Sequence, residues 1–450
     1  MAGWPLGSSA QTATPADADV RAILKARVDL IPNSGIAVGI LDGSRQRVIT
    51  YGTAGPEGKP ALDGDTEFEI GSITKVFTAT LLADMVARGE VSYDDPVSKF
   101  LPPTVKMPSR GGLSITLLDL ATHSSGLPRL PSNLAPKDPA NPYADYTVQQ
   151  LYDFLSSYQL TRDIGAQYEY SNLGAGLLGH VLALRAGVSY EQLVTARILK
   201  PLGMNDSGIT LSPGMRARLA IGHNAAGEAV ATWDMPTLAG AGALRSTLND
   251  MMKFLAANLT PGKGELSKAL QETHAARRTT GTPGMSTGLA WLVRLGGGRI
   301  IVWHNGGTGG YFSFIGFDEE ARVGVVVLYN ASANIDDIGF HLIDDTIPLA
   351  KPRPAPKPRK EIAVDPKVLE RYVGEYSFTP AIAVTVTLEG NQLFVQATGQ
   401  SKVPVYPESE TDFFLKIVDA QISFVKDASG AVTGMVLHQN GQDQSATKVK

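Results

Sequence analysis

Apolar and polar positions along this chain follow two rhythms, one helical and one alternating. Over residues 18–29 apolar side chains return at helical spacing, whereas 35–41 and 48–51 are short apolar runs joined by Asp42, Gly43 and Ser44, the pattern of a β-hairpin. From Ser72 onward Ile73, Val76, Phe77, Leu81, Met85 and Val86 recur at helical spacing and Gly89 stands where a helix would stop, which predicts a largely buried helix. Between 92 and 255 the chain reads as helices and loops, with helices expected at 148–156, 173–186, 190–199 and 248–255. Strand patterns return at 289–295, 300–303, 312–317 and 323–329, followed by a helix over 335–347. Strands near both ends of one region imply a shared sheet. The expected architecture is therefore α/β, a sheet layer with an all-helical subdomain inserted, and the cleft at their junction is the place for a ligand.

A different texture begins after residue 350. Positions 351–360 read Lys-Pro-Arg-Pro-Ala-Pro-Lys-Pro-Arg-Lys, and prolines so spaced bar both helix and ladder pairing, so this stretch is expected to be a linker. Eight strand-like runs follow, at 372–378, 383–388, 392–397, 402–406, 413–418, 421–425, 432–437 and 445–449, with turn residues at 389–391, 427–430 and 440–441. That is the pattern of an antiparallel meander or a small closed all-β barrel. The division expected is a larger domain at 18–350 and a barrel at 361–450, after a disordered or trimmed leader remnant at 1–17.

Composition narrows the chemistry. With 43% hydrophobic and 19% charged residues the chain has the make-up of a globular protein, with no apolar run long enough to span a bilayer. A formal net charge of −4 supplies no basic field for phosphate backbones, so nucleic acid is not expected as a partner. The absence of cysteine removes thiol nucleophiles, disulfides and cysteine-based zinc sites. The seven histidines are scattered without metal-ligand spacing, so neither a metal nor another cofactor is implied. Ala10 to Ala13 resemble the small residues around a leader cleavage site, which points to a periplasmic or secreted protein, with a cytoplasmic one as the alternative. A small-molecule or peptide substrate is the partner expected, and a homo-oligomer is left open.

Ser72-Ile73-Thr74-Lys75 is an S-x-x-K at the start of the buried helix, where a spacing of three puts serine and lysine on one face. A serine hydroxyl needs a base to take its proton, and burial lowers a lysine's pKa toward that task. The helix N-terminus also offers unpaired N–H groups to an oxyanion. Ser423 to Lys426 and Ser445 to Lys448 match the same pattern, but in strands, where residues three apart face opposite ways. Gly284-Met285-Ser286-Thr287-Gly288 fits the G-x-S-x-G elbow, yet that elbow needs a strand before it and a helix after it, and here a loop precedes and a strand follows. In Tyr170-Ser171-Asn172, Asn172 read locally is a good helix N-cap and Tyr170 a half-buried aromatic. In His304-Asn305-Gly306-Gly307 the glycines at a strand end admit close approach to backbone.

Together and in this order, these three segments resemble the class C β-lactamase family and its relatives, the DD-peptidases, D-aminopeptidases and β-lactamase-like esterases. The likeness runs over roughly 34–347 and includes Leu-Leu-Asp-Leu-Ala-Thr-His-Ser-Ser-Gly-Leu-Pro at 117–128, the stretch 241–246 leading into Asp250, and 303–311. It implies an antiparallel sheet flanked by helices, and a serine hydrolase acting through an acyl-enzyme. Ser72 would attack the carbonyl, Lys75 and Tyr170 would share the work of base and acid, and Asn172 would orient Lys75 and the substrate amide. The Ser72 and Gly307 amides would form the oxyanion hole, beside His304 and Gly306 in the substrate-binding strand. Whether Lys75 is neutral or Tyr170 ionised stays open. One departure bears on substrate: class C β-lactamases carry K-T-G where this chain has His304-Asn305-Gly306, which resembles D-aminopeptidases, some DD-peptidases and esterases. The expectation is hydrolysis of small esters and short peptide or D-amino-acid amides, with weak β-lactam turnover. A true β-lactamase or DD-carboxypeptidase is the alternative, and a non-catalytic penicillin-binding or ligand-sensing protein the alternative of another class. The C-terminal part resembles lipocalin-like barrels appended to such enzymes.

Overall fold

The computed structural model describes residues 14–55, 60–260, 262–351, 359–379, 382–398, 402–415, 420–439 and 442–449. The leader-like stretch at Ala10 to Ala13, most of the Pro-rich linker and the Asn440-Gly441 turn lie outside the described residues. The chain divides into two compact units, Met1–Ala355 and Pro356–Lys450.

In the first unit the opening hairpin, Gly35–Asp42 with Arg45–Gly52, joins the late strands in one antiparallel sheet. Gly35–Asp42 pairs with Val323–Tyr329, Ile36 opposite Tyr329. The sheet runs on through Phe312–Asp318, Arg299–Gly307, Leu292–Gly296, Met285–Thr287 and Arg278–Thr279, eight strands in all. Val323–Tyr329 is buried at every position, which suits a central strand covered on both faces. On one face the helices Asp17–Val28 and Asp336–Ile343 contribute Val20, Leu24, Ile338 and Leu342 to a core with Ile36, Val38, Phe314 and Val327. On the other, Met252 and Leu255 of the helix Leu248–Leu259 pack with Ala37, Leu41 and Val326.

The helix Thr74–Ala87 is apolar on nearly every side and is buried from Thr74 to Met85, with Phe77 stacked 4.0 Å from Phe254. The inserted helices include Leu117–Ala121, Val148–Ser157, Asn172–Ala186 and Tyr190–Val194, the last running into a wider turn over Thr195–Leu199. Three begin with reciprocal capping boxes, Thr116 with Asp119, Thr147 with Gln150 and Ser189 with Gln192.

Some expectations needed correction. The strand expected at 289–295 starts only at Leu292, because Ala290 takes a left-handed conformation (φ 62°) and Leu289, Ala290 and Trp291 are buried as a turn. Amphipathic Glu265–His274 is a helix that the pattern search passed over. The first capped residue of Asn172–Ala186 is also different: Ser171, not Asn172, is the N-cap, its Oγ accepting from the Gly174 N–H. That shift of one residue frees the Asn172 side chain.

The second unit is a closed barrel of eight antiparallel strands in sequence order, from Gly374–Thr379 round to Gln442–Lys448, an up-and-down order shared with lipocalins. Its interior is filled by Tyr372, Tyr376, Val386, Leu393, Phe413, Phe424 and Met435, with Tyr372 stacked 4.1 Å from Phe424. The strand expected at 413–418 is described only as Asp412–Phe414, since 416–419 lie outside the described residues.

Candidate active site

Ser72 sits in a tight turn, Gly71–Ile73, between the short strand Glu67–Glu69 and the helix Thr74–Ala87. Gly71 adopts φ 49°, and a Cβ there would lie 2.8 Å from the Gly307 nitrogen, so only glycine lets these two backbones meet. Gly306 is packed as closely: a Cβ on it would lie 2.0 Å from the Ile70 carbonyl oxygen. Ser313 Oγ donates to that carbonyl at 2.9 Å. The end of the strand Arg299–Gly307 is thereby pinned to the turn that carries the serine.

One helical turn on, Lys75 Nζ lies 2.9 Å from Ser72 Oγ and 2.7 Å from the Ala241 carbonyl oxygen. Lys75 is 1% exposed, and no carboxylate pairs with it among the described residues. Burial, with a smaller push from the Arg129 cation, holds its pKa well below the ordinary lysine value. A neutral amine has two N–H bonds and one lone pair. In that form, with one N–H given to the Ala241 carbonyl, Lys75 would have its lone pair left for the Ser72 proton.

Tyr170 hydrogen-bonds to Ser72 from the other side. Although part of the residue remains exposed, protein atoms crowd the hydroxyl, and burial pushes its pKa up to about 12 against the pull of Ser72 and Arg129. Its ring has nitrogen groups all round it: Lys75 Nζ 4.8 Å from the centroid, the Arg129 guanidinium at 5.1 Å, the His123 ring at 4.6 Å and the His304 ring at 6.2 Å.

His304 is buried, and its Nδ1 donates to the Asn305 carbonyl at 2.5 Å, which leaves Nε2 with a lone pair and no partner among the described residues. Burial first, then the nearby Lys75, pull its pKa down to about 3. The neutral state expected near neutral pH is therefore held far more firmly than an ordinary histidine would hold it. Asn172 hydrogen-bonds the Tyr143 hydroxyl, and the second polar contact of Lys75 goes to Ala241 instead. Gly307 is exposed at the strand end.

Three groups were given no role by the sequence reading. His123, with φ 54°, accepts the Ser171 N–H on Nδ1 at 3.1 Å and sets both the N-cap and the neighbouring Tyr170. Arg129 and the Ala241 carbonyl also belong to the site. All three lie in or beside the segments 117–128 and 241–246, but nothing in spacing alone marks them. The competing serines lie elsewhere. Ser286 is in the strand Met285–Thr287 near the sheet edge, beside a cavity of about 400 Å³, and its hydroxyl has no hydrogen-bond partner among the described residues. Ser423 and Ser445 are in the barrel. Among the described residues no group of side chains is arranged to hold a metal, and no helix is long and apolar enough to cross a membrane.

An α/β fold with a serine hydroxyl held between a buried amine and a phenol defines a serine hydrolase of the acyl-transfer kind. The chain belongs to the β-lactamase family, whose members are serine hydrolases: the family model described as Beta-lactamase matches residues 20–345. Residues 358–448 match a model described only as a domain of unknown function (DUF3471). The chain is 30% identical over 312 residues to the D-alanyl-D-alanine-carboxypeptidase/endopeptidase AmpH of Escherichia coli, covering 66% of this chain and 80% of that one. It is 26% identical over 427 residues to a penicillin-binding protein of Bacillus subtilis, covering 89% of this chain and 92% of that one. Among solved structures, a class C β-lactamase from Rhodobacter sphaeroides superposes with a TM-score of 0.63 at 27% identity, over 74% of this chain and 99% of that one.

Proposed function

We propose that this protein hydrolyses small esters and short peptide or D-amino-acid amides through an acyl-enzyme on Ser72, with weak turnover of β-lactams. The observation that carries this reading is the 2.9 Å contact of Ser72 Oγ with a buried lysine that has no carboxylate beside it among the described residues. As Oγ bonds to the substrate carbonyl carbon, its proton passes to the neutral Lys75 amine. The oxyanion is taken by the Ser72 and Gly307 N–H groups. Tyr170, un-ionised, gives its proton to the leaving oxygen or nitrogen and regains one from Lys75, so acylation ends with both groups as they began. Water then enters by the same route, its proton going to Lys75, and Ser72 leaves with a proton returned through Tyr170. Asn172 and the strand end at His304, Gly306 and Gly307 hold the substrate. The activity is assigned to residues 18–350, with 351–360 as linker, 361–450 as companion barrel and a compartment outside the cytoplasm.

The choice of substrate leans on His304, which is uncharged where a lysine would be a fixed cation. The names of AmpH and of the β-lactamase it resembles keep DD-carboxypeptidase and β-lactamase as the second reading. Intact-mass spectrometry with a p-nitrophenyl ester tests the mechanism: a transient adduct on Ser72 with repeated release of nitrophenol is expected, and none in Ser72→Ala. An adduct that persists without product would instead make the protein a ligand sensor. A panel of that ester, a D-aminoacyl anilide, a D-Ala-D-Ala peptide and a chromogenic cephalosporin, compared by kcat/KM, decides the substrate class.

A further inference from the structure

Beside Tyr170 lies a guanidinium that the mechanism above leaves unused. The Arg129 backbone is fixed, its carbonyl accepting the Asn172 and Leu173 N–H groups at 3.0 and 3.1 Å at the start of the helix Asn172–Ala186. From that anchor the side chain, which is exposed, lays its guanidinium 5.1 Å from the centre of the Tyr170 ring. No Asp or Glu pairs with it among the described residues. The other three nitrogen groups around Tyr170, on Lys75, His123 and His304, are buried and driven toward the neutral state. Of the four, Arg129 alone is exposed to solvent. A guanidinium is a planar fork of N–H donors, matched to the two oxygens of a carboxylate, and stacking on a phenol ring holds the fork in place before any ligand arrives. Its Tyr170 support hydrogen-bonds Ser72, so one side chain links the fork to the serine.

We propose that Arg129 is the anion receptor of this site and selects esters or amides that carry a carboxylate near the scissile bond. This deepens the acyl-enzyme reading and rests on it for the turnover part of the test. Two matched pairs separate charge from shape: p-nitrophenyl hemisuccinate against p-nitrophenyl succinamate on the acyl side, and m-carboxyphenyl butyrate against m-carbamoylphenyl butyrate on the leaving side. In the full chain the acid of at least one pair is turned over with the higher kcat/KM. Arg129→Gln lowers that acid-to-amide ratio about tenfold or more, through KM, and Arg129→Lys restores part of it by keeping charge without the fork. An acid-to-amide ratio unchanged in Arg129→Gln for both pairs overturns the proposal and makes Arg129 only a plate that packs on Tyr170. If wild type turns over none of the four, the acyl-enzyme reading has failed, and calorimetry with succinate on the Ser72→Ala protein decides Arg129 separately. Weaker binding on adding Arg129→Gln then supports the receptor, and equal or absent binding in both overturns it.

Discussion

Two serines of this chain open an S-x-x-K and touch a nitrogen base, one in each unit, and their surroundings differ. Ser72 Oγ lies 2.9 Å from Lys75 Nζ. Ser423 Oγ lies 3.1 Å from His438 Nε2, whose Nδ1 is 2.8 Å from Asp443 Oδ1, so the barrel holds the atoms of a serine, histidine and aspartate relay. The hydroxyl proton tells them apart. Ser423 donates it to Asp412 Oδ1 at 2.6 Å, away from the histidine. The backbone of Ser423 is tied into ladders on both sides, opposite Asp412 and Val436. Ile422 and Phe424 point into the barrel, so Ser423 lies on its outer wall, while Lys426 sits over the ring of Tyr372 in the core. Ser72 differs on each count: its neighbour is a buried lysine with no carboxylate partner among the described residues, it lies in a tight turn and not in a ladder, and it stands at the root of a buried helix. Contact distance alone does not make a nucleophile.

The sharpest break between the two is mutational. Ser72→Ala should lower kcat/KM for the p-nitrophenyl ester by about ten-thousandfold or more, while Ser423→Ala stays within about twofold of wild type. Comparable losses in both would end the distinction. Next in size, Lys75→Met should cost about a thousandfold in kcat/KM and yet raise the melting temperature by a few degrees, because it removes a buried amine that lacks a counter-ion. The sign of the pH effect follows. Unfolded Lys75 binds a proton up to its ordinary pKa of 10.5 and the folded residue gives it up well below that, so in this interval the unfolded state holds more protons and stability rises with pH. Denaturant titrations across that range should show the slope in wild type and its loss in Lys75→Met.

Tyr170→Phe should reduce turnover about a hundredfold. With Tyr170 at about 12, the wild-type kcat/KM profile should rise through the Lys75 ionisation and stay level to about pH 10. A falling limb below that would mean that a group required in its protonated form is lost there, against a neutral Lys75 base paired with an un-ionised Tyr170. A smaller effect, about tenfold on activity and about 1–2 kcal/mol on stability, is expected from Gly71→Ala, whose Cβ would push at the Gly307 amide. Smallest of all, His438→Ala should leave hydrolysis unchanged and cost the barrel about 1 kcal/mol, read by thermal unfolding of the full chain.

Much of this was legible from residue order. Strand and helix periods placed the hairpin, the helix after Ser72 and the late strands, and the three motif segments named Ser72, Lys75, Tyr170, Asn172 and His304. Other features depend on placement that no period records. Ser171 displaced Asn172 as N-cap by one residue, because His123, 48 positions earlier, binds the Ser171 N–H. The Trp291 segment reads as strand but is a buried turn, since its apolar side chains serve the core without needing a ladder partner. Residue order gives the Arg129 side chain no role until the fold lays it over Tyr170.

What the sequence by itself determined is local and periodic: a serine and a lysine three apart on a helix, glycines where backbones must meet, and alternation that keeps Ser423 and Lys426 on opposite faces. What only the tertiary structure decided is the state of the protons. Lys75 is drawn toward its neutral form and Tyr170 kept un-ionised by burial, and burial is the joint work of distant segments that no window of sequence contains. A motif specifies which atoms can meet, and the dielectric around them settles what they do there.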